Sequence, residues 1–187
     1  MIYCSSFSKT ISPGLRLGWI VPGKYFNEVS QQKYFSNLAT ASIPQLAVAH
    51  FLEQGGYDRY LRTARQRYRE ATERMRAAIG REFPEGTAVS RPMGGFVVWV
   101  QLPDRVSGTR VFHRAREVGI NVAPGRMFST TNKYEDYVRI NCANPWSERI
   151  DKAIRQLGIL VSEEQEVQGA TSDSPNGVNH DMAAAGS

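Results

Sequence analysis

Several residue types are scarce in this sequence, and each scarcity excludes a class of protein. The 187 residues include only two cysteines, Cys4 and Cys142. Two cysteines are too few for a disulfide framework and indicate a reducing, cytoplasmic environment. They form no spacing typical of a zinc site with the three histidines. No apolar run reaches the roughly 18–20 residues of a membrane-spanning helix. We therefore expect no metal site and no membrane contact.

The residues that are present have the composition of an ordinary globular protein. Hydrophobic residues make up 41% of the sequence and charged residues 22%. The net charge of +5 is unevenly distributed, because residues 161–187 contain five acids and no lysine or arginine. This acidic segment is rich in Ser, Gly, Asn and Ala and has no hydrophobic period. We predict that residues 161–187 are disordered.

The first half of the sequence contains two strand patterns and two helix patterns. Residues 2–4 and 15–21 predict strands on either side of a polar turn. A helix is predicted from Ser42, and apolar residues spaced by three and four predict a longer helix over 57–79, ended by Gly80. The many arginines on the other faces of this longer helix favour a solvated surface over a nucleic-acid site.

The second half predicts a small lobe of helices against a sheet. A strand over residues 94–102 is followed by a helix over 107–118. Two short strands, over residues 120–123 and 137–143, come next. The last helix, over 147–157, is expected to end at Gly158. This order of strands and helices is typical of an α/β or α+β lobe.

The residues best suited to catalysis or ligand binding lie in the polar turn between the first two strands. Lys9 lies among serines, and Arg16 begins the second strand seven residues later. An antiparallel return would bring both cations and the serine hydroxyls to one end of the sheet. Arginine and hydroxyl donors suit an anionic cofactor group. A lysine that is desolvated beside another cation becomes a usable nucleophile toward a carbonyl.

Several interpretations of this turn are compatible with its residues to different degrees. A phosphate-binding P-loop is excluded, because the glycines required before the lysine are missing. Ser6 and Lys9 match the Ser-x-x-Lys pattern of acyl-serine enzymes, but the companion motifs are absent. A Schiff-base lysine that holds pyridoxal 5′-phosphate and a polar surface turn without chemistry both remain open.

The pattern Ser-x-Ser-Lys-x-x-x-Pro-Gly-x-Arg-x-Gly-Trp at residues 6–19 resembles the cofactor-lysine segment of class I/II aminotransferases, which have the aspartate aminotransferase fold. Residues 94–99, 119–125 and 137–141 are similar to strands of that family's small domain. The resemblance implies an α/β protein that forms the C-terminal part of a PLP-dependent transferase fold. Its implied segments are a remnant of the large PLP-binding domain (1–40), interdomain helices (41–82) and a small C-terminal domain (83–160).

The resemblance also implies a role for individual residues. Lys9 would hold pyridoxal 5′-phosphate as a Schiff base and then move the proton during amino-group transfer between an amino acid and a 2-oxo acid. Ser6, Ser8 and Arg16 would bind the cofactor phosphate. Arg139 would bind the substrate carboxylate through a bidentate pair. Without the resemblance, Arg139 is more consistent with an ion pair at a strand edge.

Three further segments resemble a subgroup of the family. Residues 3–9, 55–60 and 154–158 are similar to the aminotransferase-like domain of MocR-type regulators of the GntR class. Two functions therefore stay open, a metabolic aminotransferase and a ligand-sensing transcription regulator. DNA contact would need a winged helix, which these residues do not contain. The resemblance implies a homodimeric parent.

The position of Lys9, eight residues after Met1, predicts that this sequence is a C-terminal fragment. We expect such a fragment to have little activity alone. Its first two strands would have open edges and an uncovered apolar face.

Overall fold

The structure is a computed structural model that describes residues 1–131 and 133–172. It divides between Ala64 and Arg65 into two units. No helix within the described residues is long and apolar enough to cross a membrane. The finer domain boundaries predicted near residues 40 and 82 remain predictions.

The first unit contains a hairpin and two helices, and a third helix begins in it. The elements are β1 (Tyr3–Ser6), β2 (Gly18–Val21), α1 (Phe26–Asn37), α2 (Ser42–Glu53) and the start of α3 (Tyr57–Glu82). Strands β1 and β2 pair antiparallel, with Ser6 opposite Gly18. The predicted antiparallel return around Lys9 is therefore confirmed. Helix α1 is an element that the sequence analysis missed.

The second unit contains the rest of α3, a four-stranded sheet and two more helices. The further elements are β3 (Ala88–Val89), β4 (Val97–Gln101), α4 (Gly108–Glu117), β5 (Ala123–Pro124), β6 (Tyr137–Asn141) and α5 (Glu148–Ser172). The strand order is β3-β4-β6-β5, and every neighbouring pair is antiparallel. The predicted α/β lobe is present, although the strand expected over 120–123 is only the short β5.

The core of the second unit follows from alternation along its two central strands. Val98 and Val100 of β4 and Val138 and Ile140 of β6 are buried, while the residues between them point to the other face. Apolar residues of the three helices complete the same cluster. They include Ile79 of α3, Val111 of α4 and Leu157 of α5, all fully buried. Helices whose apolar residues recur every three or four positions bury one face in this way.

The first unit buries far less of its apolar surface. Every residue of β1 and β2 is exposed, and α1 has no buried residue. Val48 is the one buried hydrophobic residue described within the first 64 positions, and Ser8 is the buried polar one. The uncovered apolar face that the sequence predicts is therefore confirmed, with Tyr3 62% and Val21 56% exposed. An exposed apolar surface of this kind is typical of an interaction site.

The predicted ends of the two long helices are wrong. Helix α3 continues past Gly80 to Glu82, and α5 continues past Gly158 to Ser172. Residues 161–172 are therefore helical, whereas disorder was predicted from residue 161. The rest of that predicted disordered segment, residues 173–187, lies outside the described residues.

Contacts with distant residues explain why α5 continues. Leu160 and Val161 extend its buried apolar stripe. Glu164 is also buried, and its carboxylate lies 2.5 Å from Arg110 Nε and 3.6 Å from Arg114 Nη1. Two acidic residues of the predicted disordered segment, Glu163 and Glu164, are thus paired with arginines of α4. Those arginines lie about 50 positions earlier, outside any local sequence pattern.

Gly158 allows close packing of α5 against the end of α3. A Cβ atom at this position would overlap the backbone carbonyl of Glu82, which cannot move independently of its helix. Glycine in a helix interior is destabilising by about 0.5–1 kcal/mol relative to alanine. Here that loss is offset by contact between two backbones, so Gly158 is a packing residue and not a helix terminator.

We predict that Gly158→Ala destabilises the protein by about 2 kcal/mol or more, because the added methyl group overpacks the contact with Glu82. The matched control is Gly80→Ala, since Gly80 is exposed within α3 and nothing lies near its absent Cβ. This control should stabilise by about 0.5–1 kcal/mol. Urea unfolding of both variants measures the two effects. Equal effects would show that helix propensity alone governs both sites.

Candidate active site around Lys9

The hairpin register places the predicted site residues of the first unit together. Ser6 ends β1 opposite Gly18, so residues 7–17 form the connection that holds Lys9 and Arg16. Within it, Arg16 Nη1 donates a 3.1 Å hydrogen bond to Ser8 Oγ. Ser8 is only 8% exposed, whereas the side chains of Lys9 and Arg16 are exposed. The structure therefore brings the cation Arg16 to a buried hydroxyl beside Lys9.

The connection is held in shape by its own backbone. The carbonyl of Phe7 accepts hydrogen bonds from the amides of Thr10, Ile11 and Ser12. The Phe7 amide donates to the Leu17 carbonyl at 2.9 Å, which closes the base of the connection. Several donors on one carbonyl fix a tight turn, so Lys9 lies on a backbone with little conformational freedom.

Arg16 has a backbone conformation that few arginines adopt. Its φ of 46° and ψ of 37° are left-handed, and it ends a short 3₁₀ helix over Pro13–Leu15. Ser12 precedes that helix, and its side chain accepts a hydrogen bond from the Gly14 amide. Left-handed backbone is unfavourable for a residue with a Cβ and is found more often at functional positions than elsewhere. In this fold, it accompanies the contact between Arg16 and Ser8.

Ser6 is placed less directly for ligand binding. Its Oγ donates to the Leu17 carbonyl at 3.3 Å and accepts from the Ser8 amide at 3.1 Å. These bonds stabilise the turn, so the role predicted for Ser6 in phosphate binding remains a prediction.

Thr10 is a further candidate residue of this turn that the sequence did not indicate. Its Oγ1 is buried without a hydrogen-bond partner among the described residues. A buried hydroxyl without a partner is unusual, because desolvation without a compensating hydrogen bond is unfavourable. The only sequence signal was its position next to Lys9.

Arg139, the predicted carboxylate-binding residue, lies in the second unit. It is in β6, a central strand, where it pairs with Trp99 on one side and Ala123 on the other. Its guanidinium lies 4.2 Å from the centre of the Phe128 ring. Within the described residues, Arg139 forms no ion pair. The structure therefore does not support the alternative interpretation of Arg139 as an ion-paired residue at a strand edge.

An aromatic cluster surrounds Arg139 on the outer face of the sheet. Trp99 contacts the rings of Phe128, Tyr134 and Tyr137 at centre-to-centre distances of 5.3, 5.5 and 5.9 Å. Trp99 lies on the face of β4 opposite the buried valines. A guanidinium over an aromatic ring is held by a cation–π interaction while its remaining N–H groups can still donate.

The chemistry available to these residues is narrow. The first unit combines an amine, a guanidinium and a buried hydroxyl, which suits a ligand with both an anionic group and a carbonyl. The second unit presents a guanidinium suited to a carboxylate. No group of three or more metal-ligating side chains is found where the chain is described.

Comparison with known proteins shows which family this chain resembles. Residues 1–157 match the sequence family described as aminotransferase class I and II. The chain is 38% identical over 161 residues to the uncharacterized HTH-type transcriptional regulator YjiR of Escherichia coli, covering 86% of this chain and 34% of that protein. It is 35% identical over 159 residues to the 2-aminoadipate transaminase of Thermus thermophilus, covering 84% and 40%.

A solved structure agrees with the sequence matches. The alpha-aminoadipate aminotransferase of Thermus thermophilus, crystallised with N-(5′-phosphopyridoxyl)-L-leucine, superposes with a TM-score of 0.81 at 33% identity. The match covers 89% of this chain and 43% of that one. The predicted α/β fold, part of an aminotransferase fold, is therefore confirmed. The chain spans between a third and a half of the length of the relatives that it matches.

The two cysteines differ in their capacity to react. Burial raises the pKa of the Cys142 thiol from its ordinary value of 9.0 to about 11, because the charged thiolate is poorly solvated in the core. Cys4 is exposed on β1. Because the thiolate is the reactive form, Cys142 has no role as a nucleophile near neutral pH.

We predict that a disulfide reagent at about pH 8 modifies Cys4 rapidly and Cys142 slowly in the folded protein. As pH rises toward the raised pKa of Cys142, its thiolate fraction increases about tenfold per pH unit. Labelling of native protein should therefore show one fast thiol and one slow thiol that becomes faster with pH. The variant Cys4→Ser identifies the fast one. Equal labelling rates would contradict the burial of Cys142.

Proposed function

Because the chain belongs to the aminotransferase class I and II family, we propose that its turn over residues 6–16 holds the cofactor of a PLP-dependent aminotransferase domain. The observation that supports this most directly is the hydrogen bond from Arg16 to the buried Ser8, next to Lys9. Pyridoxal 5′-phosphate carries an aldehyde and a phosphate, and it supplies the electron sink for amino-group transfer. The residues of the turn fit both groups.

Lys9 is the residue that we assign to the aldehyde. Lys9 is an exposed residue on a constrained backbone, next to Thr10, whose hydroxyl has no hydrogen-bond partner among the described residues. The same amine is suited to move a proton to and from the amino acid substrate, since it is a base held in a fixed place.

Ser8 and Arg16 are the residues that we assign to the phosphate. A guanidinium offers several N–H donors in a planar fork, and only one of the Arg16 nitrogens is directed at Ser8. The Ser8 hydroxyl accepts from Arg16, so its own proton can be donated to a phosphate oxygen. Ser6 supports this arrangement through the turn and is the weaker candidate for direct contact.

Arg139 is assigned to the carboxylate of an amino acid or 2-oxo acid. The Phe128 ring fixes its guanidinium on one side. The surrounding aromatic rings exclude water from part of its surface, and an arginine–carboxylate pair becomes stronger where water is excluded. We propose a bidentate pair as the substrate contact.

A second function is favoured by a specific observation. YjiR, at 38% identity, and YdcR of Escherichia coli, at 34%, are both described as HTH-type transcriptional regulators. The same turn would then bind the cofactor so that an amino acid is sensed and not released as product. In either case, we propose a homodimeric, cytoplasmic parent, with DNA contact only through a winged helix outside these residues. Fold alone does not decide between the two functions.

We predict that Lys9 is the lysine modified when limiting pyridoxal 5′-phosphate is added to this chain and trapped by borohydride. Lys24 is the matched control, because it lies in the same unit but stacks on Tyr25, with its amine 5.2 Å from the ring centre. Peptide mass spectrometry measures the two modified fractions. The absorbance band of the complex should be weak and should disappear in Lys9→Ala, while Lys24→Ala retains it. Equal modification of both lysines would contradict the proposal.

We further predict that Ser8→Ala lowers the preference of Lys9 for pyridoxal 5′-phosphate over pyridoxal, which lacks the phosphate. The preference should fall about fivefold, as expected from the loss of one hydrogen bond of about 1 kcal/mol. Ser5→Ala is the control, because Ser5 is exposed on β1 outside the turn. Competition between the two aldehydes, followed by borohydride trapping, gives the ratio. An unchanged ratio in Ser8→Ala would exclude Ser8 from the phosphate site and leave the role of Lys9 intact.

A further inference from the structure

An open cavity of about 510 Å³ lies in the second unit, between α3 and the segment that precedes β4. Arg65, Arg69 and Arg76 line it from the helix, and Arg91 lines it from the opposite segment. This volume is within the range of small-molecule sites, about 300–1,000 Å³. None of the residues considered above for the aminotransferase reaction lines this cavity.

Helix geometry places these arginines in one row. Arg65, Arg69, Thr72 and Arg76 are separated by four, three and four positions, which is the spacing of a single helix face. Other arginines of α3 are directed elsewhere, since Arg74 lies over the Trp146 ring at 4.8 Å. The arginine-rich surface that the sequence suggested is therefore not uniform, because part of it forms the wall of a cavity.

The charge in this cavity is poorly balanced. Four arginines line it, and Glu73 is the one acidic residue among the described residues of the lining. Within the described residues, none of the four arginines forms an ion pair. Like charges four residues apart, such as Arg65 and Arg69, destabilise a helix. An anion bound between α3 and Arg91 would relieve this repulsion.

Backbone groups of the cavity are also available. Thr72 is only 6% exposed and its hydroxyl is hydrogen-bonded with the buried Cys142 thiol, so the donors for a ligand lie elsewhere in the lining. Gly94 and Gly95, on the opposite side, have open space where a Cβ would be, so a ligand can approach their backbone. Arg76 Nε donates to the Ser90 carbonyl at 3.0 Å, which ties this side of the cavity to the helix.

We propose that this cavity binds a small polyanion with two linked phosphate or carboxylate groups, held by Arg65, Arg69 and Arg91. Guanidinium groups pair bidentately with either kind of oxyanion. One singly charged group would leave most of the positive charge unbalanced, whereas two linked groups can contact both walls. A duplex nucleic acid is disfavoured, because it would bind a long basic surface and not a concave site.

Calorimetric titration of the full 187-residue chain with inorganic pyrophosphate tests the proposal. We expect saturable binding with a Kd of about 1 mM or below at low salt. Arg69→Gln should weaken it by about tenfold or more, as should Arg91→Gln. The control Arg67→Gln removes the same charge from an exposed position of α3 outside the cavity, and it should change Kd by less than about twofold.

Further arms separate the possible ligands. Malonate in place of pyrophosphate distinguishes linked carboxylates from linked phosphates, and tighter binding of either identifies the preferred group. Circular dichroism checks that each variant is folded. If Arg69→Gln does not fold, Arg91→Gln tests the cavity from the segment outside the helix. The proposal is overturned if neither anion saturates the protein or if Arg67→Gln and Arg69→Gln weaken binding equally. Binding of a short duplex DNA that depends equally on both arginines would also overturn it.

Discussion

The antiparallel pairing of β4 with β6 is the constraint on which the second unit depends. Register aligns Val98 with Ile140 and Val100 with Val138, so these four side chains enter the core together. Because strand side chains alternate between faces, the same register places Trp99 and Arg139 side by side on the opposite face. A shift of one residue would exchange the two sets and place a guanidinium in the core. The packing that stabilises the sheet therefore also positions the candidate carboxylate-binding arginine.

The first unit presents a different balance between packing and function. Its hairpin is held by backbone pairing and by a turn in which one carbonyl accepts several amide hydrogen bonds. The surrounding surface remains exposed and apolar. The part of this unit with a buried, hydrogen-bonded side chain is the turn around Lys9, where Ser8 is buried and accepts a hydrogen bond from Arg16. Local hydrogen bonds are enough to bring the Ser8 hydroxyl and the Arg16 guanidinium together next to Lys9 in the chain, although the strands on either side are uncovered.

Helix α3 combines two roles that its sequence does not separate. Met75, Ala78 and Ile79 on one face join the core, while Arg65, Arg69 and Arg76 on another face line a basic cavity. A solvated arginine surface would place these charges apart in water, where screening makes their repulsion small. Together with Arg91, the same charges instead line one concave space. The segment that precedes β4 therefore makes this part of the helix face the wall of a cavity.

The sequence by itself determined the hairpin around Lys9, the α/β character of the second unit and the family. These features depend on local spacing and on a long motif within residues 6–19. It also indicated candidate cofactor residues by resemblance, although only the structure showed Ser8 bonded to Arg16 and Ser6 engaged in the turn.

Only the tertiary structure decided the features that join distant residues. Gly158 resembles a helix end in the sequence but is a contact with Glu82. Glu163 and Glu164 lie in the segment predicted to be disordered, but they pair with arginines of α4. Likewise, no pattern along the chain places Arg91 opposite Arg69 or Phe128 beneath Arg139. Such contacts form between elements far apart in sequence, so local propensity and periodicity do not predict them.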